Sequence, residues 1–302
     1  MKNVRKAILV AVVALVYSIS ATAQQPEALT FTRIERNPRA AALAGAGAAS
    51  VSSAAYASFT NSAIIPFYKE NADFALGYQY LYPDLNASHA INAAGAYKFG
   101  SMGVALGVLY QTEKEPIAGY NPSDIQVNLG FGAQILPWLG VGLNARYIRE
   151  NNTQEHFYNA FGVDAMVLFM PLEGLTVSAG IANIGNNIGS DAGSKYPQPS
   201  SLRLAAAYNL NFAQDHRVEL MLDEDYFYNS QNNALSVGAE YAFKEMVFAR
   251  VGYRYATEGT VVPSHLGLGL GFQFFGFRLD VSYLTASEII GNTLGIGLGY
   301  RF

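Results

Sequence analysis

The sequence predicts an all-β protein, a transmembrane antiparallel β-barrel of about 14 strands with an amino-terminal plug segment ahead of it. Three observations lead there. Apolar residues alternate with small or polar ones from about residue 73 to the end, and longer connections alternate with very short ones. After the first residues, no apolar run is long enough for a spanning helix. The composition agrees: 14% charged and 51% hydrophobic, with 29 Gly and 20 Tyr. Apolar residues are spread thinly, as they must be when only alternate positions face lipid.

Residues 1–23 read as a secretory signal. Lys2, Arg5 and Lys6 supply a positive start, Ala7 to Ile19 an apolar stretch, and Ala21-Thr22-Ala23 a small-x-small cleavage pattern, making Gln24 the first mature residue. Cleavage removes three cations and no acid, so the net charge moves from −4 to −7. An acidic mature chain has no electrostatic footprint for nucleic acid. Without cysteine there is neither a disulfide framework nor thiolate chemistry.

Strands are expected at 73–81, 87–99, 102–111, 124–135, 138–149, 157–169 and 174–183, then at 200–212, 216–226, 234–243, 246–255, 265–274, 277–285 and 292–302. The last is the clearest: Leu294, Ile296, Leu298, Tyr300 and Phe302 alternate with Thr293, Gly295, Gly297, Gly299 and Arg301. A period of two sends the two sets to opposite faces. The longer connections are 82–86, 112–123, 150–156, 184–199, 227–233, 256–264 and 286–291; the short ones include Gly100-Ser101 and Phe275-Gly276. Membrane barrels have short turns on the periplasmic side and longer loops outside, which sets both termini in the periplasm.

Alternation alone also fits a soluble sandwich. Strand lengths near those needed to cross a bilayer at a tilt favour the barrel, as do aromatics near strand ends such as Tyr80, Tyr147, Tyr253 and Tyr283. The chain also ends on an aromatic, Phe302, like the terminal strands of bacterial outer-membrane proteins. The organisation is therefore a signal peptide (1–23), an amino-terminal hatch segment (24–72) and an outer-membrane barrel (73–302).

The hatch segment is rich in Ala and Ser and only loosely periodic, with Pro38, Arg39, Gly45, Gly47 and Asn61 as landmarks. Small residues let backbone pack closely inside a lumen. Pro38-Arg39-Ala40 followed by "ALAGAGAAS", then "AAYASFTN", resembles the PorV/PorQ family, FadL-like outer-membrane barrels of the Bacteroidetes. Asn61-Ser62-Ala63 departs from that family's usual Asn-Pro-Ala at the proline. The resemblance implies a lumenal hatch and a part in protein export by the type IX system, or in outer-membrane assembly.

No catalytic constellation is visible. His89, His156, His216 and His265 lack metal-ligand spacing, no Gly-x-Ser-x-Gly elbow occurs, and the "GLGLG" runs read as strand glycines; no cofactor is expected. Arg146, Asp164, Arg203, Glu219, Asp223, Glu240, Arg250, Arg254, Arg278, Asp280 and Arg301 fall on the non-lipid face, where cross-strand ion pairs and the hatch would fill the lumen. Parity of numbering sets Glu240 opposite Arg250 across a turn at Lys244-Glu245-Met246. Tyr196, Pro197, Tyr226, Phe227 and Tyr228 are the candidates for an external partner contact, and Asp223-Glu224-Asp225 reads as a solvated rim. The leading expectation is a non-enzymatic, partner-binding envelope barrel surrounded by outer-membrane lipid. The alternative is a FadL-like transporter of hydrophobic small molecules, and a weaker third is a diffusion porin.

Overall fold

The computed structural model describes residues 26–81, 87–113, 121–151, 157–189 and 193–302; the expected signal peptide lies outside them. The strands are β1 (Ala72–Leu81), β2 (Ser88–Phe99), β3 (Met102–Glu113), β4 (Ser123–Leu136), β5 (Leu139–Asn151), β6 (Phe157–Leu172), β7 (Leu175–Gly185), β8 (Ile188–Gly189) and β9 (Lys195–Tyr196). They continue with β10 (Ser201–Ala213), β11 (His216–Phe227), β12 (Asn232–Phe243), β13 (Val247–Ala256), β14 (His265–Phe274), β15 (Phe277–Thr285) and β16 (Thr293–Arg301). Among the described residues, 14 of these close an antiparallel barrel, with β1 hydrogen-bonded to β16. The barrel strands match the sequence-based spans to within a few residues. The two-residue ladder of β8 with β9, inside the longest connection, was not anticipated.

Faces follow parity. In β12 and β13, Leu235, Val237, Tyr241, Phe243, Val247, Val251, Tyr253 and Tyr255 are exposed on the outer surface, whereas Ser236, Glu240, Arg250 and Arg254 are buried inside. The sheet is thus apolar outside and polar within, the inverse of a water-soluble barrel and the arrangement lipid demands.

Ahead of β1, residues 26–71 pack against the inward face of this sheet. They form helix α1 (Pro38–Ala42) and 3-10 turns at Thr30–Arg33, Ala57–Phe59 and Ser62–Phe67. None is long enough to leave a helical period in the sequence. Contact with the wall is close: a Cβ added to Gly142 would lie 2.2 Å from the Ala63 nitrogen, and one added to Gly252 2.2 Å from the Leu43 carbonyl carbon. These glycines let backbone meet backbone, which any larger side chain would prevent.

The segment crosses the barrel from one rim to the other. Leu29, Phe31 and Ile34 cluster with Leu81, Leu109, Ile148, Val262, Leu284 and Ile290, all at the ends of strands that run into the longer connections or in those connections. At the opposite rim, Asn71 and Ala72 donate their N–H groups to the Phe302 carbonyl, and Lys98 Nζ donates to the Tyr68 carbonyl. The expectation that both termini share one side concerns an amino terminus that lies outside the described residues. The first described residues lie at the long-loop rim and Phe302 at the short-turn rim, because the segment uses its length to traverse the lumen.

Candidate functional site

The lumen is organised around a belt of buried charges. Asn37 caps α1 by accepting a hydrogen bond from Arg39 N at 3.0 Å, and Pro38 occupies the first turn, where its missing N–H costs nothing. This cap aims Arg39 at the wall, where Nε meets Glu240 Oε2 at 2.7 Å and Nη2 meets Glu219 Oε2 at 2.9 Å. Glu219 and Glu240 are direct cross-strand partners on β11 and β12. Two like charges so placed repel unless cations intervene. Arg39, Arg217 (3.1 Å from Glu240) and Arg250 (2.6 Å) supply them.

From Glu240 the chain of ion pairs runs round the wall. Glu240 and Arg250 occupy opposed positions on β12 and β13, with Phe243 opposite Val247 at the turn. Arg250 reaches across β14 to Asp280 at 2.7 Å; Arg278 contacts Asp280 at 3.0 Å and Asp73 at 3.3 Å. Gly271 makes the crossing feasible, since its added Cβ would lie 2.7 Å from Arg250 and 2.9 Å from Asp280. Asp73 in turn accepts from Ala54 N (2.8 Å), Ala55 N (3.1 Å) and the Ser53 hydroxyl (3.0 Å), while Asp223 accepts from Gly47 N (2.8 Å) and Ala48 N (2.9 Å). Barrel carboxylates therefore satisfy backbone donors of the segment, which would otherwise be orphaned in a dry interior. Asn61, fully buried, accepts from Ala63 N and donates to the Ala48 carbonyl. Gly45 and Gly47 take positive φ values of 93° and 129°, turning the chain after α1.

The long-loop mouth is different in character. An apolar cluster there is filled by Leu29, Phe31 and Ile34, beside the Arg33–Glu27 pair. A cavity of about 80 Å³ is lined by Ile34, Leu81, Val262, Leu284 and Ile290 together with Arg203, Asp225, Arg254 and His265. Arg203 pairs with Asp225 at 2.8 Å, and His265 Nδ1 lies 2.8 Å from the Pro263 carbonyl. Among the described residues, no cluster of His, Asp or Glu has the geometry of a metal site.

Several sequence expectations are relocated by this geometry. Phe227 is 3% exposed, with the Arg33 guanidinium 3.6 Å above its ring, so it is an internal contact and not an external one. Tyr226 and Tyr228 pack edge to face at 5.8 Å and are half-buried. Tyr196 is exposed, and Pro197 beside it accepts a hydrogen bond from Ala28 N at 2.9 Å. Asp223 and Asp225 do not form a solvated rim: strand parity turns both inward, where each has a fixed partner. Sequence reasoning missed Asp73, which opens its strand before the alternation is established, and Arg39 as a counter-ion for Glu219 and Glu240, 180 and 201 residues away.

A closed antiparallel barrel with an apolar outer surface and a charged, largely filled interior defines a membrane-spanning β-barrel. Its fold is that of FadL-type outer-membrane barrels. The toluene transporter TodX of Pseudomonas putida superposes with a TM-score of 0.62 at 11% identity, over 92% of this chain and 99% of that one. The toluene transporter TbuX of Ralstonia pickettii gives 0.61 at 12% identity, over 88% and 98%. A Pseudomonas aeruginosa FadL homologue gives 0.59 at 10%, again over 88% and 98%. At such identities the likeness is one of fold. No family model and no curated protein matches the sequence.

Proposed function

We propose that this protein is an outer-membrane barrel that admits hydrophobic small molecules, with residues 26–71 acting as its hatch. The observation that supports it best is the apolar cluster at the long-loop rim, where Leu29, Phe31 and Ile34 of the segment meet Leu81, Val262, Leu284 and Ile290. A diffusion porin for polar solutes has no use for such a collar, and an interior crossed by its own chain offers no wide water path. FadL-type barrels described as toluene transporters share the architecture. The secretion-partner reading draws its support from the Pro38-Arg39-Ala40 motif. Here Arg39 is fully engaged with Glu219 and Glu240, so the motif is accounted for by seating the segment and speaks for no partner.

Uptake of radiolabelled toluene by Gram-negative cells producing the barrel tests this reading. Accumulation several-fold faster than in matched cells lacking the barrel is expected, with no gain for a sugar of similar size. Equal toluene rates in the two strains would refute it.

A further inference from the structure

The outer wall is not evenly convex. Across the seam, from β14 through β16 and β1 to β4, it is indented by an apolar groove of about 1050 Å³. The sequence of β2 accounts for its depth. At mid-strand the outward positions of β2 are Ala93 and Gly95, whereas the residues opposite them are Leu76 and Phe74 on β1 and Val108 and Leu106 on β3. Two small residues between two rows of large ones leave a furrow, and Phe74 leans over its floor, where a Cβ added to Gly95 would lie 2.6 Å from the ring. We propose that this groove binds one phospholipid, with its acyl chains against β1, β2 and β3 and its phosphate at the short-turn rim. Such a site goes beyond the uptake of small molecules proposed above and does not depend on it.

The groove continues the lipid-facing surface of the barrel, so hydrocarbon is what meets it. Arg278 belongs to its lining but turns its guanidinium inward, to Asp73 at 3.3 Å and Asp280 at 3.0 Å. Acyl chains fill an irregular furrow by bond rotation and gain dispersion contacts that a convex wall does not offer. At the short-turn end the groove opens between Phe275, Phe277, Tyr300 and Tyr97, the level at which aromatic rings meet headgroups. Phe275 is 81% exposed at the turn tip and packs on Phe274 with ring centroids 4.1 Å apart. It holds φ at 47°, a left-handed conformation costly for a bulky side chain and a mark of functional placement. At the same rim stand Lys69 ahead of β1, Lys98 on β2 and Arg301 on β16, with Glu70 as the acid among them, 3.6 Å from Arg301. Cations in excess there suit a phosphate. Behind the groove the wall is sealed. The β1–β2 and β2–β3 ladders run without a register shift, and on the lumenal side Tyr56 packs with Ala55, Ala75 and Ala94. The groove is therefore a seat on the barrel and not a passage through it.

Native mass spectrometry of the detergent-solubilised full mature chain, titrated with dioleoylphosphatidylglycerol, tests the site. One lipid per barrel is expected to survive release from detergent. Ala93→Trp and, separately, Val108→Trp fill the furrow from the lipid side, and each should lower the bound fraction about tenfold. Leu143→Trp, on the outer face of β5 and 60% exposed in the parent protein, should leave it unchanged. Dioleoylglycerol, which lacks the phosphate, should bind several-fold more weakly than the phospholipid, and Lys69→Gln combined with Lys98→Gln should remove that difference. Heat-modifiable migration on gels verifies that each barrel is folded. A folded parent protein that retains no stoichiometric lipid overturns the site, as does parent-like retention in the folded furrow variants or an equal loss in Leu143→Trp. Dimers in place of lipid adducts would give the groove to a second copy of the chain and overturn it as well. Equal binding of dioleoylglycerol and the phospholipid by the parent protein overturns the phosphate contact at the rim.

Discussion

Arg39 concentrates the energetics of the lumen in one side chain. It faces Glu240 with two nitrogens and Glu219 with one, all inside the barrel. Removing one member of a buried charge group leaves the others uncompensated, at about 3–5 kcal/mol. Arg39→Met should lower unfolding stability by about that amount, read as the urea midpoint of the folded barrel. Adding Glu219→Gln removes one of the two stranded carboxylates and should recover part of the loss, a non-additivity expected of side chains in one network. Arg39→Lys should recover little, because an ammonium cannot reproduce the planar fork that spans two carboxylates. An unchanged midpoint in Arg39→Met would show that the belt does not depend on the segment. At this scale the sequence was half legible. Numbering parity alone puts Glu240 opposite Arg250, since both flank one short turn. Nothing in the linear order points from Arg39 to strands some 180 residues later, so the third party to that pair emerges only in three dimensions.

Among the elements, β6 and β7 depart from the regular ladder. Their register shifts between Val163 and Ala165, and again between Phe169 and Leu172. At the first shift the Asp164 carboxylate accepts the Asn183 N–H at 2.7 Å and pairs with Arg146, while Asn183 sits at φ 58°. Further out, Gln198 donates to the Phe161 and Asn186 carbonyls (2.8 and 3.0 Å), standing in for a strand neighbour. A side chain here does the work of backbone pairing. Asp164→Ala should therefore expose the Asn183 amide to hydrogen exchange and cost about 2–4 kcal/mol, through one orphaned N–H and one unpaired guanidinium. The β12–β13 amides should keep their protection. If Asn183 exchanges as slowly as in the parent protein, Asp164 is not what holds the bulge. Strands were the most legible elements because a period of two survives substitution of any single residue. Bulges interrupt that period by one position, within the error of any boundary drawn from sequence. Helix α1, five residues long, is shorter than the two turns needed to reveal a 3.6-residue rhythm.

For the whole molecule, the alternating connection lengths carried the topology, and a closed sheet followed once each strand was paired with its neighbour in sequence. The course of residues 26–71 was legible only as a preference for a dry environment; its direction across the lumen was not, because Ala-rich sequence fits many surfaces equally. With that segment seated, planar-bilayer conductance should be negligible. Gly142→Val and Gly252→Val place a branched side chain where the backbones of Ala63 and Leu43 now lie, and should dislodge the segment without touching the outer face. Both variants are expected to conduct ions and to be cut by protease between residues 43 and 63. Parent-like conductance and protease resistance in both would show that the lumen is not closed by this segment.

The rim-to-rim path of the segment also constrains the order of assembly. The seam that completes the cylinder joins β1, the first strand after the segment, to β16, the last strand of the chain. Were the seam zipped first, Arg33, Glu35 and Arg36 would have to be drawn lengthwise past Glu219 and Asp223, shedding water at every step. Zipping it last lets the still-open sheet curl round a chain already laid along its concave side, with Asp73 and Asp223 gripping backbone amides as curvature develops. In this order the amino-terminal segment is the mandrel on which the cylinder is wound.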